Sequence, residues 1–265
     1  HKIEIVNSTD KEKRQKYVKH LYKRLQREGQ LERDVDRLVR NDRIAWGASM
    51  IACKDADAMV TGNIRHYTAS IEKLKKVVNS RPGEEIFGMT MINSKGKTIL
   101  VADTNVQDFP SAERLVKVSK SCVRVARLFG FDPKVAFLSH STFGKPVSKN
   151  TQHVRDAIQL LKNEKVDFDF DGEMQPDVAL NPIYQEVYPF SKIVGKANIL
   201  IMPALHSAAI STKLMREFGG AKLIGPLLIG LGLPIEVAPL RSSTSDILNL
   251  ASVAAYSSDI IDYSN

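Results

Sequence analysis

The sequence lacks the short signatures that announce a nucleotide or nucleophile site. No G-x-G-x-x-G follows a strand-like run and no G-x-x-x-x-G-K-[ST] exists, which argues against a standard dinucleotide fold and against a P-loop. G-x-S-x-G is absent as well. The only two cysteines, Cys53 and Cys122, lie far apart and suggest neither a disulfide framework nor a metal site, which fits a reducing cytoplasm. No two histidines have metal-ligand spacing, so no bound metal is expected in this chain. No apolar run approaches the roughly 18–20 residues of a membrane span, and the N-terminus has no signal-peptide pattern. We therefore expect a cytoplasmic chain with no membrane partner.

What is present is a soluble globular composition: 265 residues, 43% hydrophobic and 26% charged, enough for one large domain or two moderate ones. The net charge of +8 first suggests nucleic acid, but its distribution argues otherwise. Residues 1–43 hold 13 Lys/Arg against 8 Asp/Glu, and the basic residues alternate with Tyr17, Leu21 and Leu25 at helical spacing. That is a solvated helix face, without the basic-aromatic interleaving of a single-strand binder. No nucleic-acid partner is expected.

Along the chain, Ile3–Val6 reads as a short strand, and 11–28 and 31–40 read as helices separated by Gly29. A helix over 44–53 leads to a strand at 58–61, and a helix over 68–78 ends at Arg81-Pro82-Gly83. Runs at 86–92 and 98–102 flank Asn93-Ser94-Lys95-Gly96, which has hairpin chemistry. A long helix at 111–129 precedes a strand at 134–138, and a further helix ends near Leu161. Strands at 167–171, 199–202 and 234–237 alternate with helices at 207–218 and 244–255. Buried apolar strands alternating with amphipathic helices predict an α/β architecture with a largely parallel sheet. Ligands of such sheets bind beyond the carboxyl ends of the strands, which singles out the loops 61–67, 103–110, 139–149, 171–176, 203–207 and 238–246.

Each of these loops admits a functional and a plainer reading. Ser141, Thr142, Gly144 and Lys145 combine hydroxyls, a glycine and a cation before a helix, which suits a phosphate group or an ordinary polar loop. Asp171, Glu173 and Gln175 cluster around Gly172 and could supply a base, hold a metal or cap the next helix, although their spacing fits no familiar calcium loop. His206 and Ser207 sit between strand and helix, where the imidazole could serve as acid or base, hydrogen-bond to a ligand phosphate, or be structural, and Ser207 could cap the helix. In "APLRSSTSD" (238–246), Ser243-x-x-Asp246 is a capping-box pattern, and Arg241 beside it could meet an anion at the same helix start.

Several longer segments together resemble the phosphate acetyltransferase/butyryltransferase family over nearly all of residues 1–260. They are "DADAMVTG", "VADTNVQDFPSAERL", "VARLFGFDPKVAFLSHSTFG", "DGEMQPDVALNP", "IGPLLIGL" and "PIEVAPL", in order and with similar spacing. "DGEMQPDVALNP", "YPFSKIVGKANILIMPALHSAAIS" and "VAPLRSSTSDIL" are most similar to the phosphate-acetyltransferase-like domain at the C-terminus of bacterial hybrid NADP-dependent malic enzymes. The resemblance implies a two-lobed α/β fold related to isocitrate/isopropylmalate dehydrogenases. It implies residues 1–140 with 228–265 as one lobe, 141–227 as the other, and a cleft between them. The match begins inside the family domain, and the first residue is His1, so a truncated N-terminus is expected.

Departures from the family motifs bear on activity. The active transferases end the strand near Pro234-Ile235 with Asp-Leu-Ser-Arg-Gly, whose serine and arginine serve the reaction. Pro239 and Leu240 occupy those two positions. Glu72 stands where the active enzymes carry an arginine for the phosphoryl group, and His206-Ser207-Ala208-Ala209 replaces Asn-Thr-Gly-Asn. Asp246 is the only matched remnant of the catalytic set, with Arg241 one residue late. The resemblance therefore implies a regulatory and oligomerisation domain, homodimeric within a larger oligomer, without acetyltransferase activity. Its ligand would be acetyl-CoA or a related CoA ester, acting as an allosteric inhibitor. NADP and a divalent metal would belong to the malic enzyme domain of the same chain, and this domain would carry no cofactor. The alternative is an active phosphate acetyltransferase with an altered site.

Overall fold

A computed structural model describes residues 3–103 and 109–260, with the side chain of Ile260 excepted. The chain forms two compact units, residues 1–80 with 231–265, and residues 81–230. It leaves the first unit after Ser80 and returns to it at Leu231.

The first unit opens with α1 (Lys11–Leu25), α2 (Glu32–Asn41) and α3 (Arg43–Ala52). Asp10 starts α1 by accepting the backbone N–H groups of Glu12 and Lys13, and Gly29, at φ 81°, closes the turn that follows. Tyr17, Val18, Leu21 and Leu25 share one face of α1 and pack with Val35, Val39 and Trp46, with Tyr17 meeting the Trp46 ring edge-on at 4.9 Å. The strand β1 (Met59–Gly62) and helix α4 (Tyr67–Val77) follow, and the chain leaves at Ser80.

The second unit contains the hairpin β2 (Phe87–Ser94) and β3 (Lys97–Ala102), then α5 (Ala112–Leu128), β4 (Lys134–Leu138) and α6 (Gln152–Glu164). It continues with β5 (Asp169–Met174), α7 (Pro176–Leu180), α8 (Pro182–Gln185), β6 (Ile199–Ile201), α9 (Leu205–Glu217) and β7 (Lys222–Ile229). The hairpin turns on Lys95 and Gly96, both at positive φ, as a two-residue loop of this hand requires. The six strands lie in the order β5-β4-β6-β3-β2-β7, with β3, β4, β5 and β6 mutually parallel and β2 antiparallel to both its neighbours. Ala136, Leu138, Leu200, Met202 and Met174 supply much of the core against Val178, Ala179 and Ala208.

The chain then re-enters the first unit with β8 (Ile235–Ala238) and α10 (Thr244–Ile260). β8 pairs in parallel with β1, Met59 opposite Ile235 and Gly62 opposite Ala238. Leu250 and Ala254 are buried on α10.

Three expectations are corrected. Ile3–Val6 is not a strand: Ile3 and Ile5 are 90% and 91% exposed, and the described strands of that unit, β1 and β8, pair with each other. β5 starts at Asp169 and runs on to Met174, so Glu173 is a strand residue and not a loop residue. The helix after the 139–148 loop continues to Glu164, beyond Leu161. No helix among the described residues is long and apolar enough to cross a membrane.

Candidate functional site

Two groups of strand-end residues carry the polar chemistry expected of a site. In the second unit, the loop after β4 is drawn onto β5 by one carboxylate. Glu173 is 1% exposed, and its Oε1 accepts from Ser141 Oγ at 2.9 Å, from the Gly144 backbone N–H at 2.9 Å and from Arg155 Nη1 at 3.2 Å. The Phe143 N–H donates to the Glu173 carbonyl and the Ser139 N–H to the Met174 carbonyl, extending the attachment along the strand. Thr142 Oγ1 accepts the Gln175 N–H at 3.1 Å. A buried carboxylate needs several donors to offset its lost hydration, and here the loop backbone and an arginine supply them.

The structure thus brings Ser141, Thr142, Gly144, Glu173 and Gln175 together, but Ser141 and Glu173 are spent on one another. Lys145 is exposed, leaving its ammonium open to solvent. Asp171 turns elsewhere: it is 6% exposed and accepts the Lys192 N–H at 2.7 Å and the Gly172 N–H at 2.9 Å, which fastens the 191–198 loop to β5. Gly172, at φ 145°, lies against Phe137, where an added Cβ would come within 2.6 Å of the carbonyl oxygen. His206 is exposed at the start of α9 and packs against the Phe109 ring at 5.5 Å. Ser207 is half-buried in the first turn of the same helix. The expected 103–110 loop lies in large part outside the described residues, at 104–108.

Arg241 and Asp246 belong to the first unit, at the carboxyl ends of β1 and β8. Here the two backbones approach closely: a Cβ on Gly62, at φ 106°, would fall 2.3 Å from the Ala238 carbonyl oxygen, so only glycine fits. The Asn63 N–H donates to the Ala238 carbonyl, and the Arg241 N–H returns to the Asn63 carbonyl. Arg241 itself sits at φ 61° with an exposed side chain. The capping box is present: Asp246 Oδ2 accepts from Ser243 N–H at 2.9 Å and Ser243 Oγ at 2.8 Å, while Ser243 Oγ accepts the Asp246 N–H at 3.2 Å. Pro239 is half-buried and Leu240 is 47% exposed, so the turn between strand and helix presents a ring and an isobutyl group.

Elsewhere in the first unit, Asp42 caps α3 through the Ile44 and Ala45 N–H groups and pairs with Lys73 and, at 3.8 Å, with Arg65. Burial pushes its pKa up, but the Lys73 ammonium and the two backbone donors outweigh that and hold it below the usual carboxylate value. Glu72 is exposed on α4. Sequence reasoning missed Arg155, Asp42 and Asn63. Arg155 sits on an ordinary amphipathic helix, and only its distant partner Glu173 distinguishes it from a solvated arginine.

An α/β chain that crosses from one unit into a mostly parallel six-stranded sheet and returns is the architecture of phosphotransacetylases. A phosphotransacetylase from Staphylococcus aureus shares it with a TM-score of 0.85 at 26% identity, over 97% of this chain and 79% of that one. The chain belongs to the phosphate acetyl/butaryl transferase family, whose pattern matches residues 1–255. An NADP-dependent malic enzyme from Rhizobium meliloti is 44% identical over 254 residues, 96% of this chain. A phosphate acetyltransferase from Thermoanaerobacterium thermosaccharolyticum is 31% identical over 96% of this chain and 80% of its own length. The chain spans 33% of the length of the malic enzyme it matches.

Proposed function

We propose that this chain is the regulatory and oligomerisation domain of an NADP-dependent malic enzyme, that it binds acetyl-CoA as an allosteric inhibitor, and that it does not itself transfer acetyl groups. The parent would oxidise malate with NADP and release carbon dioxide to leave pyruvate, with NADP and a divalent metal held in the part of the polypeptide outside this chain.

The observation that carries the reading is the turn after β8. Exchange of an acetyl group between coenzyme A and phosphate places negative charge on phosphoryl oxygens and on the carbonyl oxygen, and it needs cations and donors aimed at them. Pro239 has no N–H and Leu240 no polar atom. The Arg241 backbone N–H is already given to Asn63, and Asp246 Oδ2 is taken up by Ser243. In this turn the exposed side chain of Arg241 remains, which suits holding an anionic ligand better than turning it over.

Regulation by linkage requires acetyl-CoA to bind two activity states of the parent unequally. Titration calorimetry of acetyl-CoA on this chain, together with phosphate-dependent release of free thiol from acetyl-CoA, tests the reading. Heat of binding without thiol release is expected. Turnover that disappears in Asp246→Ala would instead make the chain an acetyltransferase with an altered site.

A further inference from the structure

Helix α9 carries two apolar stripes, and the second unit uses one of them. Ala204, Ala208 and Thr212 are buried, and Met215 packs against the core of that unit. Further round the helix stand Ile210, Leu214 and Phe218, four residues apart and 58%, 60% and 95% exposed. Phe218 keeps the helical register, because its N–H donates to the Leu214 carbonyl. At about 3.6 residues per turn the three fall within roughly 80° of one another, with Leu214 roughly 120° from Ala208. Ser211 flanks this second stripe on one side; Lys213, Glu217 and, at the helix start, His206 flank it on the other, all exposed. A surface helix turns a polar face outward, and one that is apolar on two sides is covered on both. Among the described residues nothing covers the second stripe.

The stripe is complementary to itself. A two-fold axis beside Leu214 sets two copies of α9 antiparallel, as a closed dimer requires. The two Leu214 side chains then meet at the axis, and Phe218 of each copy comes level with Ile210 of the other. Each flank also meets its own counterpart. Glu217 lies three residues beyond Leu214 and Lys213 one residue before it. At about 1.5 Å per residue, Glu217 of one copy therefore falls within roughly 3 Å of the level of Lys213 of the other. Symmetry makes that ion pair twice. In the single chain Glu217 meets the adjacent Arg216 at 2.8 Å, and Lys213 is exposed. The three apolar side chains expose roughly 400 Å², the size that marks an interaction face on a soluble chain. A stable dimer buries about 800 Å² on each partner, about two-thirds of it apolar, so the stripe supplies most of such a core.

We propose that α9 is the two-fold contact of a homodimer of this chain, with Leu214 at the axis and reciprocal Lys213–Glu217 pairs beside it. Opposite charges placed to meet across a two-fold axis select a second copy over an unrelated partner. The proposal rests on the oligomerisation part of the reading above and not on its ligand. An inactive or an active transferase would carry it equally.

The test is analytical ultracentrifugation of this chain at micromolar concentration, with far-UV circular dichroism of each variant to check its fold. The wild type should sediment as a dimer. Leu214→Glu brings two carboxylates together at the axis and should leave only monomer. Leu248→Glu, which charges a leucine 66% exposed on α10, should leave the dimer intact. Lys213→Glu and Glu217→Lys should each weaken dimerisation at least about tenfold, because each sets like charges against one another. The double exchange Lys213→Glu/Glu217→Lys should restore it, a rescue that misfolding would not produce. A monomeric wild type, the result if the stripe packs on another part of the parent polypeptide, would overturn the proposal. So would a dimer that survives Leu214→Glu, or one that neither single reversal weakens or the double exchange fails to restore. None of these results bears on acetyl-CoA binding, which calorimetry decides separately.

Discussion

Replacing Glu173 by Gln probes the carboxylate that ties the loop after β4 to β5. The carboxylate is 1% exposed and takes three donors on one oxygen, from Ser141, Gly144 and Arg155. An amide keeps one acceptor oxygen, so the Ser141 and Gly144 bonds can persist in weaker, neutral form, while the charge opposite Arg155 is lost. A hydrogen bond to a charged group is worth about 1.5–3 kcal/mol and a neutral one about 1 kcal/mol. The Arg155 side chain is 28% exposed, so water screens part of the lost pairing and the upper figures for a fully buried pair do not apply. The expected cost is about 2–3 kcal/mol, or a fall in Tm of roughly 4–12 °C for a chain of this size. Urea denaturation of Glu173→Gln, Arg155→Gln and the double variant forms a cycle. Because both single changes break the same pair, their costs should fail to add by about 1–2 kcal/mol. Additive costs, or a Glu173→Gln change of under about 0.5 kcal/mol, would refute the idea that Glu173 holds the 139–148 loop to β5.

Other expectations follow from single contacts. Ser243→Ala removes the reciprocal cap of α10 and should cost about 1 kcal/mol in thermal melts, whereas Ser245→Ala, exposed in the same turn, should change stability by less than about 0.5 kcal/mol. Gly62→Ala forces a Cβ onto the Ala238 carbonyl oxygen and should destabilise by at least about 2 kcal/mol, measured by denaturant unfolding. Asp42 has a depressed pKa when folded, so its stabilisation is present above the unfolded carboxylate value of about 3.9 and disappears as pH falls through the lower folded value. Melting temperatures from pH 6 to pH 3 should therefore fall less steeply below about pH 4 in Asp42→Asn, which keeps an N-cap residue but not the charge.

The α/β alternation was legible because most strands and helices obey local rules: Ser111 caps α5, Lys95-Gly96 turns the hairpin, and Ser243-x-x-Asp246 starts α10. β7 was not legible, since Gly225-Pro226 interrupts its apolar run. The break falls on β7, an edge strand where a missing N–H costs least, opposite a register shift between Met89 and Met91 of β2. Ile3–Val6 has strand composition but pairs with no strand among the described residues, which composition alone does not reveal. The loop clusters were found, but their roles were set by long-range partners. Glu173 looked like a ligand carboxylate until Arg155, Ser141 and Gly144 were seen to converge on it. Asp171 likewise turned out to hold the Lys192 backbone. Pro239 and Leu240 were legible as departures only beside the family motif, because nothing local marks a residue type that is missing.

The central claim is that this domain senses acetyl-CoA on behalf of malate oxidation and does not transfer acetyl groups. The most direct measurement is malate-dependent NADP reduction by the full-length parent chain, followed across an acetyl-CoA titration. The account predicts saturable inhibition that is weakened when Arg241 is replaced by Glu. A rate that acetyl-CoA leaves unchanged at every concentration would contradict it.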